Sequence, residues 1–429
     1  MSVYVVAALW VGAVGPAGFP FAEVLHTARG RAGGDRFGVV VAAVGDVNAD
    51  GTADWAVGAP RAGGETDFRG EVRVFSGASG AELLRLEGDS AFDAFGSAVA
   101  AAGDVDLDGH ADLLVGAPRG TPAAGSAELR SGRDGSLLLR LVGRAAGDRF
   151  GQALAGVGDL DGDGRPELAV GAPGSDAGGS SAGELTVFSG ADGEPLWRVT
   201  GGSWDQLGRA VCAAGDVDGD GSPDLAVGVP FSDAGAFNGG AVYVLSGRNG
   251  GRLRSMLGEG IGDQLGFALA GGTDADLDGV PDLLCVAPGA ENASLIDAGA
   301  AELRSGADGR VLTRVYGRED AAYLAAADFL GDLDGDGRPE LLVGAASAGT
   351  AQQGRVRVVS GADGSELAEH VGLRSRDWFG ASVAALGDLD GDGRPDFAVG
   401  APGHEDDPQL VGYLRVLAAP APRSPRSGH

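Results

Sequence analysis

Asp46-Val47-Asn48-Ala49-Asp50-Gly51-Thr52-Ala53-Asp54 is one of seven copies of a single acidic pattern, D-x-[DN]-x-D-G-x-x-[DE], in this chain. The others begin at Asp104, Asp159, Asp216, Asp274, Asp332 and Asp388, at steps of 58, 55, 57, 58, 58 and 56 residues. A period of that length marks a repeat architecture, so the unit must be read before the whole. Nine residues ahead of each cluster stands an aromatic residue or Leu, followed in six units by Gly: Phe37-Gly38, Phe95-Gly96, Phe150-Gly151, Leu207-Gly208, Leu265-Gly266 and Phe379-Gly380. Tyr323-Leu324 is the exception. Behind each cluster an apolar run ends in a turn, as in Val57-Gly58-Ala59-Pro60. A third run such as Val72-Arg73-Val74-Phe75, a Gly-rich turn, and a fourth such as Leu83-Leu84-Arg85-Leu86 complete the unit.

Each unit thus holds four short strands, and no segment carries the 3.6-residue apolar period of a helix. A four-stranded sheet repeated radially is a propeller blade. The expected fold is all-β: a seven-bladed β-propeller with blades at about 31–88, 89–143, 144–201, 202–258, 259–317, 318–372 and 373–417. The seventh unit supplies only three strands, and an orphan strand at 21–30 matches the missing fourth, so the N-terminal strand is expected to close the ring in the last blade. Ahead of the propeller domain (21–417), residues 1–20 are apolar and read as a degraded or truncated export signal. Residues 418–429, rich in Pro, Arg and Ser, read as a disordered tail.

In the acidic pattern, side chains at positions one, three, five and nine converge when Gly at six turns the loop, making the hard oxygen cage that calcium prefers. The expected ligands are Asp46, Asn48, Asp50 and Asp54 in the first loop, Asp104, Asp106, Asp108 and Asp112 in the second, and Asp159, Asp161, Asp163 and Glu167 in the third. Asp216, Asp218, Asp220 and Asp224, then Asp274, Asp276, Asp278 and Asp282, form the fourth and fifth. Asp332, Asp334, Asp336 and Glu340, then Asp388, Asp390, Asp392 and Asp396, form the sixth and seventh. An EF-hand would need Glu at position twelve, where Val57, Val115, Val170, Val227, Cys285, Val343 and Val399 stand instead. About seven calcium ions are expected. With a site affinity of about 0.1 mM and ambient calcium of about 1 mM, linkage gives roughly 1.4 kcal/mol per site. On the order of 10 kcal/mol for seven sites rivals the whole stability of a domain, which favours a structural role and a calcium-rich location: extracellular, periplasmic or at the cell surface.

With these residues in hand, the chain resembles the FG-GAP repeat family, which includes the propeller of integrin α subunits. Phe37-Gly38, Asp46 to Asp54 and Gly58-Ala59-Pro60 reproduce its three markers in order, over residues 21–417. The resemblance implies calcium on one face of the propeller and ligand on the other, where the loops between strands two and three and between blades vary most. Trp204, Trp378 and Phe231, with the acidic group Glu405, Asp406 and Asp407, are the candidate ligand face, suited to a protein or polysaccharide. The sixth unit departs from the pattern at Tyr323-Leu324, at Asp328 and at Ala346.

The charge of -29, from 61 acidic and 32 basic residues, argues against nucleic acid and anionic lipid as partners. No apolar run is long enough for a transmembrane helix. Cys212 and Cys285 lack metal-type spacing and read as buried free thiols. None of the five histidines stands at a recognised catalytic spacing. The reading is a non-catalytic, monomeric binding or adhesion module; a structural interaction scaffold and a cryptic propeller hydrolase or lyase are the alternatives.

Overall fold

The computed structural model describes residues 23–64, 67–120, 123–292, 294–403 and 410–419. These form seven antiparallel sheets of four strands each, and no helix occurs among them. Blade one runs Val40–Gly45, Asp54–Ala59, Glu71–Phe75 and Glu82–Glu87, hydrogen-bonded in that order. The second strand is buried along its whole length in every blade, as at Asp54–Ala59 and Asp396–Ala401. Neighbouring blades cover both its faces, which is why it reads as a continuous apolar run and not as an alternation. The fourth strand, by contrast, is partly exposed, as at Glu82–Glu87.

The first strands are Val40–Gly45, Ala98–Gly103, Ala153–Gly156, Val211–Gly215, Ala268–Thr273, Leu324–Gly331 and Ser382–Gly387. Each packs against the first strand of the next blade, and the last against the first, so these strands encircle a central axis. Their richness in Ala and Gly lets seven backbones crowd around that axis.

Val24–Arg29 is the outermost strand of the seventh blade, pairing antiparallel with Tyr413–Leu417 through Thr27 to Arg415 and Arg29 to Tyr413. The ring therefore closes by the N-terminal strand. The blade also extends past Leu417: Ala418 N donates to Glu23 O at 2.9 Å, and both Ala418 and Ala419 are buried. The rest of the expected tail, and the apolar segment 1–20, lie outside the described residues.

Blades are locked to one another by two contacts that only glycine permits. Gly70, at φ +87°, pairs with Phe95 of the next blade, and a Cβ there would lie 2.0 Å from the Phe95 carbonyl oxygen. Gly58 faces Gly96, whose carbonyl oxygen would be 2.1 Å from a Cβ. The second contact recurs at every junction but one. Between blades five and six Val286 stands where the others have Gly, and the partner glycine is missing too. There the first strand of blade six carries an extra irregularity between Leu324 and Ala326. Leu324, fully buried, lies against Gly299 in the place the aromatic residue holds elsewhere, and Tyr323 is turned outward. The expected pairing of Tyr323 with the aromatic position is thus displaced by one residue, because a valine side chain holds the two backbones apart.

Candidate metal loops and the opposite face

Each acidic loop is shaped by its own backbone amides. The Gly at position six donates to the first Asp in all seven, from Gly51 to Asp46 Oδ2 at 2.8 Å through Gly393 to Asp388 Oδ2 at 2.8 Å. The amide of position five donates to the third side chain, and that of position seven to the fifth, as at Asp50 N to Asn48 Oδ1 and Thr52 N to Asp50 Oδ1, both 2.9 Å. These bonds turn the side chains inward around one point. In at least five loops three carboxylates offer oxygens within 4.8 Å of one another, among them Asp104, Asp106 and Asp108, and Asp159, Asp161 and Glu167.

Position nine has a second task. Asp54 is buried and accepts Val47 N at the loop's start and Gly77 N from the hairpin between strands three and four, each at 2.9 Å. Asp112, Asp224 and Asp282 repeat this bracing. In the two loops with Glu at that position, one oxygen accepts Leu160 N or Leu333 N, and the other, Oε1 of Glu167 or Glu340, is buried with no hydrogen-bond partner. Burial, and then the neighbouring loop carboxylates, push Glu167 and Glu340 up to about 7. The same causes raise Asp54, Asp112, Asp224 and Asp282, and carry Asp396 to about 6. Converging carboxylates, two of them with an orphaned buried oxygen, fit a hard divalent cation with oxygen ligands. The loops are also linked around the ring: His110 Nδ1 lies 2.7 Å from Val47 O of the preceding loop, and the Arg165 guanidinium donates to Val105 O.

First strands run from the aromatic-Gly pair at one face to the acidic loop at the other. The loops between strands two and three, and those between blades, therefore share the face away from the carboxylates. At the tip of each inter-blade loop one amide donates to the preceding two-to-three loop: Phe92 to Asp67 O at 2.6 Å, Trp204 to Ser180 O at 2.7 Å, Gly262 to Phe237 O at 2.9 Å. The geometry demands a left-handed residue. Gly34, Gly147 and Gly262 supply it in three blades, and in the other four Ala321, Arg376, Phe92 and Trp204 adopt it at φ 55°, 64°, 66° and 72°. An αL backbone under a bulky side chain is uncommon; Phe92 packs edge to face on Phe68, with ring centres 6.0 Å apart. Phe92 and Trp204 are 55% and 65% exposed.

Of the other sequence candidates, Phe231 is half-buried, as is Trp378, which has the Arg36 guanidinium 5.9 Å from its ring. Glu405, Asp406 and Asp407 lie outside the described residues. Sequence reasoning missed Phe237, Ile261 and Ile296, each more than 60% exposed on this face. A signal was present, since Ile261 and Ile296 are the only isoleucines in the chain. Departures in the sixth unit serve packing: Asp328, pushed up to about 6 by burial, accepts Ala385 N of the seventh blade at 2.9 Å. Cys285 is buried, while Cys212, on a first strand, is only partly so; both are free thiols.

The described histidines, His26, His110 and His370, make structural contacts. His26 of the closing strand packs on Gly80 of blade one, and His370 is buried beside Phe397 and held down to about 4 by burial. Among the described residues no histidine is hydrogen-bonded to a Ser, Thr or Cys side chain.

Comparison with known proteins agrees with the repeat. The FG-GAP repeat family matches residues 95–132, 150–188 and 207–245, and an FG-GAP-like repeat matches 332–399. Integrin alpha pat-2 of Caenorhabditis briggsae is 33% identical over 224 residues, covering 46% of this chain and 18% of that protein. Integrin alpha-V of Gallus gallus is 29% identical over 249 residues (52% and 23%), and integrin alpha-IIb of Homo sapiens 38% over 169 (35% and 16%). The matches span less than a quarter of each relative's length. Among solved structures, the C-terminal WD40 domain of Sif2 superposes with a TM-score of 0.48 at 12% identity, over 87% of this chain and 79% of that one.

Proposed function

We propose that this chain, a propeller built of FG-GAP repeats, is a non-catalytic binding module held together by calcium on one face and engaging a protein or polysaccharide with the other. The side chains at positions one, three, five and nine of each loop would hold the ion, with Asp224 and Asp282 grouped with their loop carboxylates and Glu167 and Glu340 adding their free oxygens. The ion supplies positive charge that neutralises the cluster. This chain's residues do the rest: in four blades the position-nine Asp ties the loop to the neighbouring hairpin, so that loading the loop stiffens its blade. Similarity to integrin α subunits supports an adhesive role outside the cell.

One observation carries the binding reading. Seven loops on one face repeat a single design, while the tips on the other differ from blade to blade, and two of them hold the exposed aromatic rings of Trp204 and Phe92. Because Ala321 and Arg376 share their left-handed backbone, it is the exposure of the large apolar rings, and not the strain, that points to a partner. A binding screen against immobilised extracellular proteins and cell-wall polysaccharides tests this. Trp204→Ala should weaken the captured interaction by more than about 1 kcal/mol with the melting temperature unchanged. Undiminished binding by Trp204→Ala and Phe92→Ala would place the ligand elsewhere.

A further inference from the structure

We propose that the axial end of the ring on the face away from the acidic loops binds a carboxylate, with Arg209 as its anchor, and that the carboxylate is an Asp or Glu side chain of a bound protein. The proposal rests on reading that face as the binding face and adds the chemistry of its centre. Arg209 and Phe267 each stand two residues past the buried residue that opens the first strand, where other blades have Val39, Ser97, Gln152 and Ala381. The Arg209 guanidinium stacks 4.2 Å from the centre of the Phe267 ring. Phe267 meets Tyr323 edge to face, with ring centres 6.1 Å apart. Arg209 of blade four therefore lies against Phe267 of blade five, within range of the charges of Tyr323 of blade six and Arg149 of blade three, close to the axis that the first strands encircle.

No acceptor meets it there. Among the described residues Arg209 makes no hydrogen bond and no ion pair, although 61 acidic residues are available in the chain. Burial and the Arg149 charge both press its pKa down from the usual arginine value. A partly buried guanidinium with no protein acceptor leaves its N–H donors open to an anion, and its planar fork suits a carboxylate. The stacked ring fixes the fork in place, so little entropy is lost when the anion arrives. Tyr323, in contact with Phe267, is exposed, and Trp204 and Ile261 offer further exposed apolar surface at the loop tips of the same face. That surface suits a protein segment flanking the acid. A net charge of -29 meanwhile repels polyanions, so a single carboxylate on a shaped segment is the form that can enter.

The test uses the calcium-loaded full chain with 15N-labelled arginine and three probes: acetate, a blocked Gly-Asp-Ala peptide and its Asn counterpart. The Arg209 Nε–H resonance should move with the Asp peptide and stay with the Asn peptide, and Arg209→Gln should lower affinity for the Asp peptide about tenfold or more. A chelator-sensitive melt equal to that of the parent chain shows that the variant is folded. Movement with acetate alone keeps the carboxylate site and assigns it to small free carboxylates, overturning the protein side chain as its source. A resonance unmoved by both, or unchanged affinity in Arg209→Gln, overturns the site. If Trp204→Ala loses a captured macromolecule and Arg209→Gln does not, the binding face stands and the anchor falls.

Discussion

At the scale of single residues, Glu167 and Glu340 expose the logic of the acidic loops. Each has one oxygen committed to a backbone amide and one buried without a partner, and each is pushed up to about 7 by burial and by its loop's other carboxylates. Their folded pKa lies above the unfolded value near 4.5, so without metal they contribute stability that is present below about pH 4.5 and lost as pH rises through 7. In chelator the protein should therefore be less stable at pH 7 than at pH 5, and the Glu167→Gln, Glu340→Gln double variant should flatten that slope by a few kcal/mol. His370, held down to about 4, has the opposite sign, losing stability as pH falls from about 6.5 towards 4, which is why the double variant is needed to isolate the acids. Saturating calcium should reverse the trend, because the ion binds the ionised loops and gains affinity as pH rises. Chemical denaturation at the two pH values, with and without calcium, reads all of these. A chelated protein equally stable at both, and unaffected by the double substitution, would show that the two acids carry no such strain.

Strands and their junctions show what could be read before any coordinates. Blade number, strand count and the closing strand were legible because each follows from a period, and a period survives substitution at any one site. The loops were legible for the same reason. The displacement at Leu324 was not, since the residue responsible, Val286, lies 38 positions earlier in another blade and acts through the space between two backbones. Nor was the double task of position nine, whose second partner, such as Gly77 for Asp54, arrives from a hairpin 23 residues on. Exposed Trp204 and half-buried Trp378 look alike as sequence, but Trp204 stands at the loop tip, where Arg376 stands in the last junction, while Trp378 directly precedes the buried Phe379, and that placement is not written in a residue's name. The junctions also make a prediction. Gly116 faces Gly151 as Gly58 faces Gly96, and a Cβ would meet the Gly151 carbonyl oxygen at 2.0 Å. Gly116→Val should cost more than about 2 kcal/mol in denaturant unfolding, through blade separation. A loss below about 0.5 kcal/mol would mean that the blades slide apart freely and that glycine is not what sets their spacing.

Over the whole molecule, net charge and closure depend on each other. Seven clusters of like charge are distributed around one end of a ring whose blades are otherwise held by apolar contacts, so neutralising them relieves repulsion in every blade at once. Calorimetric titration should find about seven ions, and chelation should lower the melting temperature strongly; two or fewer ions, or a melt indifferent to chelator, would leave the loops as acidic turns. The ring adds a further condition, because blade seven is completed only by Val24–Arg29 against Tyr413–Leu417. That strand contacts both ends of the circle: it pairs with the last blade, its His26 packs on Gly80 of the first, and Gly30 N donates to Gly412 O at 2.8 Å. Without it Tyr413–Leu417 becomes an open edge with unpaired amides and carbonyls, available to another chain. Deleting residues 1–30 should therefore lower the melting temperature and drive association through that edge, whereas deleting 1–18 should do neither. Light scattering and calcium-dependent melts on the two truncations decide it. Equal tolerance of both would mean that the strand decorates a ring already closed by the contacts between blades seven and one.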